Sequence, residues 1–290
     1  MIHAQIAPAS RVAYGELLGE PPGDWTAEIA AATRQLGAEI LYDTPLGADA
    51  VAYLEAKAFL TERVITSCCV GWRLYAQRKG IHFCPIVPPQ MATGAIIKHF
   101  FEKDGPIWSV MPCKLKPLEM NLRNRAGEKL VDRVIFTKDL PKTRERSFVD
   151  YPASPKGMGF GATGGVLNAV LGFLKDMGEE VEIIKRTRAA QKEEVVIKLN
   201  GRTRRMLRVW GLANIDTSAD FLEVMACPYG CVGGGGQPPA PMDTVRRRAD
   251  AMREIAARQP ERPHVKKILR WLDDLSQKEK EQWFYLAGTT

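Results

Sequence analysis

Short apolar runs rich in β-branched residues alternate along the chain with longer stretches of helical periodicity. The runs are EILYD, ERVITSC, IWSVMPC, RVIFT, EVVIKL, MLRVWG and FLEVMAC, and they predict buried strands. Helices are predicted for the stretches DWTAEIAAATRQLG, GADAVAYLEAKAFL, GGVLNAVLGFLKDMG and DTVRRRADAMREIAAR. Strands that alternate with helices indicate an α/β fold with mainly parallel sheets flanked by helices.

A segment rich in proline and charge, LPKTRERSFVDYPASPKG, interrupts this pattern near the middle of the chain. Such a composition is typical of a loop between two structured units. We therefore predict a first α/β lobe over residues 1–150 and a second over residues 151–241, followed by a helical tail over residues 242–290.

Three of the predicted strands run directly into a cysteine, in VITSCC, SVMPC and EVMAC. The ligand site of an α/β sheet lies at the carboxyl ends of its strands, so these strands are expected to bring thiols to one place. Cys69, Cys113, Cys227 and Cys231 supply four thiols, the number that completes a 4Fe–4S cluster. Soft thiolates also bind zinc or Cu(I), but structural zinc sites usually show paired close spacings, whereas this chain has one C-x3-C and two distant cysteines, which fits a buried cluster better. Inert buried cysteines are the alternative.

The net charge of the chain bears on which kind of partner it binds. Lys and Arg exceed Asp and Glu by 41 to 34, a net charge of +7, and TRRMLR and VRRR are basic segments of a kind that nucleic-acid binders also carry. No recognition helix, zinc knuckle or aromatic-studded basic strand accompanies them, so we predict no nucleic-acid partner and a surface suited to an acidic protein.

Because no apolar run of about 18 residues and no export signal is visible, we predict a cytoplasmic protein without a membrane span.

Three cysteine signatures resemble the H-cluster domain of iron-only (FeFe-type) hydrogenases. They are TSCCVGW from Thr66, MPCKLKPLE from Met111 and EVMACPYGCVGGGGQP from Glu223. Supporting matches, in the family's order, are QIAPASRVAYGE, DTPLGADAVAYLE, PPQMATGAIIK and FGATGG. The resemblance runs from about Gln5 to the C-terminal helices. It implies two lobes with the cofactor at their interface, and a tail similar to the family's small-subunit segment.

The resemblance also implies a cofactor and its ligands. Cys69, Cys113, Cys227 and Cys231 would bind a 4Fe–4S cluster. Cys231 would also bridge to a two-iron group that carries CO, cyanide and an azadithiolate, and the two parts together form the H-cluster.

Further roles are implied around the two-iron group. Cys68 would exchange protons with the azadithiolate amine, a role that suits a thiol of reference pKa about 8.5, and Glu55 would be the inner glutamate of the proton path. Lys116 would donate a hydrogen bond to an iron-bound cyanide. The remaining implied pocket residues are Met111, Met225, Pro8, Gln90 and Phe160.

Several positions depart from the family pattern. Val70 stands where a proline usually follows the double cysteine, Ala58 stands at the outer glutamate of the proton path, and Cys84 stands at its serine. The gap left at Ala58 is about one helical turn, near 5 Å, which exceeds a hydrogen bond of about 3 Å. We therefore expect slower or rerouted proton transfer, bridged by water, Cys84 or Glu62.

The resemblance implies a hydrogenase that interconverts protons, electrons and H2, with ferredoxin or a similar electron carrier and the H-cluster maturation proteins as partners. A hydrogen sensor of low turnover is an alternative that the altered proton path favours. A hydrogenase-like protein of iron–sulfur assembly is another. The presence of Cys68, Lys116, Met111 and Met225 argues against it.

Overall fold

The first sheet is parallel throughout and is built from the first half of the chain. A computed structural model describes residues 1–213 and 215–288. The strands of this sheet, in the order β2-β1-β4-β5, are β1 (His3–Ile6), β2 (Ile40–Asp43), β4 (Ile107–Met111) and β5 (Arg133–Phe136). Parallel neighbours require crossover connections, and the helices that follow β1 and β2 supply them.

The second sheet is mixed. In the order β3-β9-β8-β7-β6, its strands are β3 (Val64–Ile65), β6 (Val181–Arg188), β7 (Lys192–Leu199), β8 (Arg202–Trp210) and β9 (Phe221–Met225). β3, β9 and β8 run parallel, whereas β8, β7 and β6 are antiparallel. Connections of two or three residues join only antiparallel neighbours, and the turns 189–191 and 200–201 are that short.

Helices cover the sheets, and one of them lies between two cores. The α-helices are α1 (Pro8–Ala13), α2 (Thr26–Gln35), α3 (Pro45–Thr61), α4 (Val70–Arg78), α5 (Pro89–Ala95), α6 (Pro155–Met158), α7 (Gly165–Asp176), α8 (Met242–Arg258), α9 (Pro263–Asp274) and α10 (Gln277–Phe284). α3 sends Leu46 and Leu54 into one apolar core and Ala52 and Phe59 into the other. A helix that is apolar on all sides is buried, so α3 carries Glu55 into the interior.

The C-terminal helices pack on both halves of the fold. Val265 and Ile268 of α9 join the core that contains Leu46. Arg248 of α8 makes a buried ion pair with Glu16 at 2.6 Å. No helix in residues 1–213 and 215–288 is long and apolar enough to cross a membrane. The division of the chain at residues 150 and 241 stays a prediction, and β3, although early in the chain, belongs to the second sheet.

Candidate metal centre

A cavity opens where the carboxyl ends of strands from both sheets meet. β4 of the first sheet ends at Met111 and β9 of the second ends at Met225. Both methionines line the cavity. The other lining residues are Ala7, Pro8, Ala9, Thr44, Pro45, Ala48, Cys68, Pro89, Gln90, Pro112, Cys113, Lys116, Phe160, Gly161 and Cys231. Separate segments thus bring thiols to one cavity, as the strand ends predict.

The thiols of Cys69, Cys113, Cys227 and Cys231 lie close enough to influence one another. Burial first, and the neighbouring Cys69 and Cys113 thiols second, raise the pKa of Cys227 to about 12. Burial and neighbouring thiols also raise the pKa of Cys113 and of Cys231. These three groups are therefore neutral thiols until a metal displaces their protons.

This arrangement fits a cube of iron and sulfur. All six cysteines are free. No group of three His, Cys, Asp or Glu side chains, among those that the structure describes, is close enough to hold a single metal ion. A 4Fe–4S cube takes one thiolate at each iron, so it requires thiols at separate corners. The four mutually close thiols therefore suit the cube, and soft thiolates are the donors that such clusters prefer.

The glycine run after Cys231 brings two backbone segments together. A Cβ atom at Gly234 would lie 2.3 Å from the carbonyl oxygen of Pro112, and Gly236 donates its N–H to the same oxygen at 2.8 Å. Glycine permits this approach because it has no Cβ, and the loop of Cys231 is thereby held against the loop of Cys113.

Lys116 belongs to a buried group of charges. Its Nζ lies 2.9 Å from both carboxylate oxygens of Glu119, and Arg73 donates to one of those oxygens at 2.8 Å. Lys116 Nζ also lies 3.5 Å from the backbone oxygen of Cys68. Two cations share one carboxylate, so this buried group of three side chains, of which Lys116 lines the cavity, carries a net positive charge. Because an uncompensated buried charge is costly, the Lys116 side of the cavity suits an anionic group.

Gln90 presents unused hydrogen-bonding atoms at the cavity wall. Neither Oε1 nor Nε2 of its buried side chain has a hydrogen-bond partner in the described part of the chain. Leaving a buried polar group unpaired costs about 1–3 kcal/mol, so a polar ligand in the cavity would relieve that cost. Pro8 and Phe160 line the same cavity. Direct contacts of these residues with a two-iron group stay predictions.

Glu55 does not line the cavity but lies close to Cys68, which does. Burial first and Glu223 second raise the pKa of Glu55 to about 8. Burial first and Glu55 second raise the pKa of the Cys68 thiol. Within the described residues, neither carboxylate oxygen of Glu55 has a hydrogen-bond partner. Both groups therefore hold a proton at neutral pH, which equips them to pass one on.

Glu223 is a second buried carboxylate, and it holds the FGATGG segment. It accepts the N–H of Gly164 at 2.6 Å and that of Leu167 at 2.9 Å, at the beginning of α7, where negative charge is favoured. Glu223 thus fixes the FGATGG segment to β9 of the second sheet. The position of Glu223 in a predicted strand does not indicate this contact.

Cys84 lies near the two acids on either side of the gap at Ala58. Burial is the main cause that raises the pKa of its thiol to about 12, and Glu55 and Glu62 contribute to the same increase. Glu62 is exposed at the end of α3, whereas Ala58 is half-buried. Cys84 thus lies near both acids, and its use as a proton relay between them stays a prediction.

Glu55 is expected to make the stability of the cluster-free protein depend on pH. Its pKa is about 8 in the folded chain and about 4.3 when unfolded, so between these values the folded state binds more protons. The contribution of this group to stability is therefore fully present below about pH 4 and is lost as pH rises towards 8.

Glu55→Gln should remove that loss. Between pH 5 and pH 9, urea denaturation should show the wild type losing on the order of 3 kcal/mol more unfolding free energy than the variant. Glu62→Gln changes an exposed glutamate near the end of the same helix and should follow the wild type. Parallel curves for wild type and Glu55→Gln would contradict the buried, protonated state of Glu55.

Comparisons with known proteins are consistent with this geometry. The sequence profile of the family described as "iron only hydrogenase large subunit, C-terminal domain" matches residues 1–235. The chain is 30% identical to the NADP-reducing hydrogenase subunit of Solidesulfovibrio fructosivorans, over 82% of this chain and 50% of that protein. It is also 30% identical to iron hydrogenase 1 of Clostridium pasteurianum, over 80% of this chain and 49% of that protein. The chain spans about half the length of these two relatives.

A relative of another function and a solved structure complete the comparison. Cytosolic iron-sulfur assembly component 3 of Bos taurus is 24% identical over 83% of this chain and 63% of that protein. A solved FeFe-hydrogenase of Chlamydomonas reinhardtii is 24% identical, with a TM-score of 0.78, and the match covers 100% of this chain and 95% of that chain. At this level of identity the likeness shows the fold alone, and the predicted α/β fold is confirmed.

Proposed function

The chain belongs to the iron-only hydrogenase family, and we propose that it is itself a hydrogenase, which catalyses the reversible reaction 2 H⁺ + 2 e⁻ ⇌ H2. Membership of this family implies that it binds an iron–sulfur H-cluster. The cavity supports the catalytic proposal, because Cys68 and Lys116 line the same space as the ligand candidates Cys113 and Cys231. A protein that bound only a 4Fe–4S cube would need neither the Cys68 thiol nor the Lys116 ammonium at this cavity.

The protein would contribute ligands, a charged donor and a dry surface. When bound, the two-iron group would supply the site at which hydrogen is formed or split, with an amine that exchanges its proton. Lys116, held by Glu119, would donate a charge-assisted hydrogen bond to a cyanide, typically worth about 1.5–3 kcal/mol. Met111 and Met225, which are 1% and 2% exposed, would exclude water from the reacting atoms.

Cys68 and Glu55 would hold and move the proton. In hydrogen evolution the Cys68 Sγ would give its proton to the cofactor and regain one from the Glu55 carboxyl; uptake would reverse the order. Beyond Glu55, the route would pass Cys84 towards Glu62, because Ala58 carries no exchangeable proton.

Ala58→Glu is expected to accelerate hydrogen evolution several-fold, up to about tenfold, since it restores a carboxylate one turn from Glu55. Ala58→Gln is the matched control, because glutamine has nearly the same shape and does not titrate, and it should leave the rate unchanged. The measurement is steady-state hydrogen evolution driven by a chemical reductant. Equal rates for both variants and the wild type would show that proton supply through this position does not limit turnover.

The decisive experiment is anaerobic maturation followed by infrared spectroscopy and a hydrogen-evolution assay. CO and cyanide bands together with steady turnover support the hydrogenase. Bands with negligible turnover would favour a hydrogen sensor, to which the missing carboxylate at Ala58 points. Absence of the CO and cyanide bands, with the 4Fe–4S cube retained, would favour a role in iron–sulfur assembly. The Bos taurus relative is named for that role.

A further inference from the structure

A depression lies between the first sheet and the C-terminal helices, and we call it the junction cleft. Residues of both parts line it, among them Arg11, Asp43, Phe148 and Arg262. Asp43 is the last residue of β2, and ligands of α/β sheets bind at the carboxyl ends of strands. None of the described residues that line the junction cleft lines the metal cavity. The cleft is therefore a candidate site apart from the proposed hydrogen chemistry.

Arg262 carries a positive charge that no described residue neutralises. It lies in the connection between α8 and α9, and its side chain is half-buried. Within residues 1–213 and 215–288, its guanidinium makes no hydrogen bond or ion pair, and its Nε is buried without a partner. A buried charged donor that stays unpaired destabilises the fold. An anion in the junction cleft would remove that cost.

Arg11 supplies a second unused donor in the same cleft. Its side chain is 1% exposed. Nη2 donates to Asp43 at 2.6 Å and Nη1 donates to Thr26 at 3.2 Å, whereas Nε has no partner in the described part of the chain. The other oxygen of Asp43 accepts the N–H of Ala153 at 2.8 Å. Both oxygens of Asp43 are thus occupied, and the Nε donor of Arg11 is left for a ligand.

The amino end of α9 adds to the positive potential of the junction cleft. Arg262 is the residue directly before this helix. Among the described side chains none caps this end, and the first turn contains no acidic residue. The unpaired N–H groups at a helix N-terminus favour anions. The helix end and the two unused arginine donors therefore attract the same kind of ligand, although they come from separate parts of the chain.

The acids of the junction cleft do not cancel this potential. Among the described lining residues, three are basic and two are acidic. One of the acids is the Asp43 that Arg11 already neutralises. The other, Asp24, has no cationic partner among the residues that the structure describes, so it is the lining group that repels an anion. One positive charge is left in excess.

We propose that the junction cleft binds a small oxyanion, a phosphate or carboxylate group, between Arg262 and Arg11. Guanidinium groups match both kinds of anion through their fork of N–H donors. The ring of Phe148, which is 67% exposed and lines the same cleft, would contact the apolar part of a larger anion. The bound anion would link the beginning of α9 to the first sheet. Its binding does not depend on the proposed hydrogenase activity.

The test is isothermal titration calorimetry of the full chain with inorganic phosphate, ADP and acetate as the probes. We expect saturable binding of one anion per chain, which weakens as the salt concentration rises. Tighter binding of inorganic phosphate than of acetate assigns the cleft to phosphate, and the reverse order assigns it to carboxylates. Tighter binding of ADP than of inorganic phosphate assigns it to a phosphorylated organic molecule that uses Phe148.

Arg262→Gln and Arg258→Gln form a matched pair of variants. Arg258 lies four residues earlier, at the end of α8; it is 80% exposed, pairs with Glu254 and does not line the junction cleft. Arg262→Gln should weaken the dissociation constant of the preferred anion about tenfold or more, because it removes a charged donor from a half-buried site. Arg258→Gln should stay within about twofold of the wild type, since an exposed charge contributes little.

Asp24→Asn should change the affinity in the opposite direction. It removes the acid that repels the anion, so we expect binding to become severalfold tighter. Asparagine keeps a side-chain oxygen that can accept the N–H of Thr26, as Asp24 does at 3.1 Å. The start of α2 is therefore preserved in this variant, and the gain in affinity reports charge alone.

Thermal unfolding without added anion separates a ligand site from a structural arginine. Arg262→Gln should unfold at the temperature of the wild type or above it, because an unpaired half-buried charge is lost. With the preferred anion at saturation, the unfolding temperature should rise in the wild type and not in this variant. A lower unfolding temperature of Arg262→Gln without anion would show that Arg262 serves the fold, and it would overturn the proposal. So would equal weakening of binding in the two arginine variants, or no saturable binding of any probe by the wild type.

Discussion

Replacing Cys227 by alanine is expected to remove the iron–sulfur cluster from a protein that still folds. With a cube bound, the wild type should carry about four iron atoms per chain, and the variant should fall below about one, because one corner of the cube loses its thiolate. The cost to the apo fold should be small. The pKa of about 12 places Cys227 in the neutral form in the metal-free chain, so its removal leaves no buried charge unpaired. Anaerobic reconstitution with iron and sulfide measures the effect.

Cys84→Ala is the matched control for the ligand prediction. Cys84 is also a free, half-buried cysteine, but it does not line the metal cavity. It should keep the full iron content and the visible absorbance of the cluster. Full iron in Cys227→Ala, or loss of iron in Cys84→Ala, would contradict the assignment of the ligand set. Far-ultraviolet circular dichroism of both apo variants separates loss of ligand from loss of fold.

Cys68→Ala is expected to abolish hydrogen turnover while leaving the cluster in place. Cys68 directly precedes the ligand candidate Cys69 in the chain, and its titratable thiol lines the cavity. The buried Glu55 lies close to that thiol. Removing a positioned acid or base typically costs about 10²–10⁴ in rate, and we expect a loss in that range. The assay is hydrogen evolution by the matured protein with a chemical reductant, which bypasses any protein partner.

Two readouts keep the Cys68 prediction specific. Iron content and the CO and cyanide bands should match the wild type, since alanine removes one sulfur atom but no ligand to the cube. A rate within about threefold of the wild type would show that the proton reaches the cofactor by another route. Loss of the infrared bands would instead assign Cys68 to assembly of the cofactor.

The strand and helix pattern predicted most of the elements but not the whole of each sheet. β1 was not predicted, because its four residues, HAQI, form no apolar run, yet His3 and Gln5 are buried. Tertiary contacts satisfy them: Gln5 donates to the carbonyl of Gln90 at 2.8 Å, and His3 lies 3.3 Å from the Tyr42 hydroxyl. β6 was not predicted either, because it is an exposed edge strand without an apolar face.

One contact in the environment of Lys116 could be predicted from the sequence, and another could not. Glu119 stands three residues after Lys116 within one signature, so their contact is accessible to sequence reasoning. Arg73 is 46 residues from Glu119, and only the packing of α4 beside the Cys113 loop brings them together. The net positive charge of the group that Lys116, Glu119 and Arg73 form is therefore a property of the fold.

By itself the sequence determined the family and the α/β class, and it named the four candidate ligand cysteines. These features depend on local order along the chain: a thiol directly after a strand, a fixed signature, an alternating pattern. Only the tertiary structure decided the antiparallel half of the second sheet, the protonated state of the buried Glu55, and the pairing of Arg73 with Glu119 beside Lys116. Burial and the proximity of charges depend on segments that are distant in sequence. The desolvation and Coulombic energies that result therefore arise only in the folded chain.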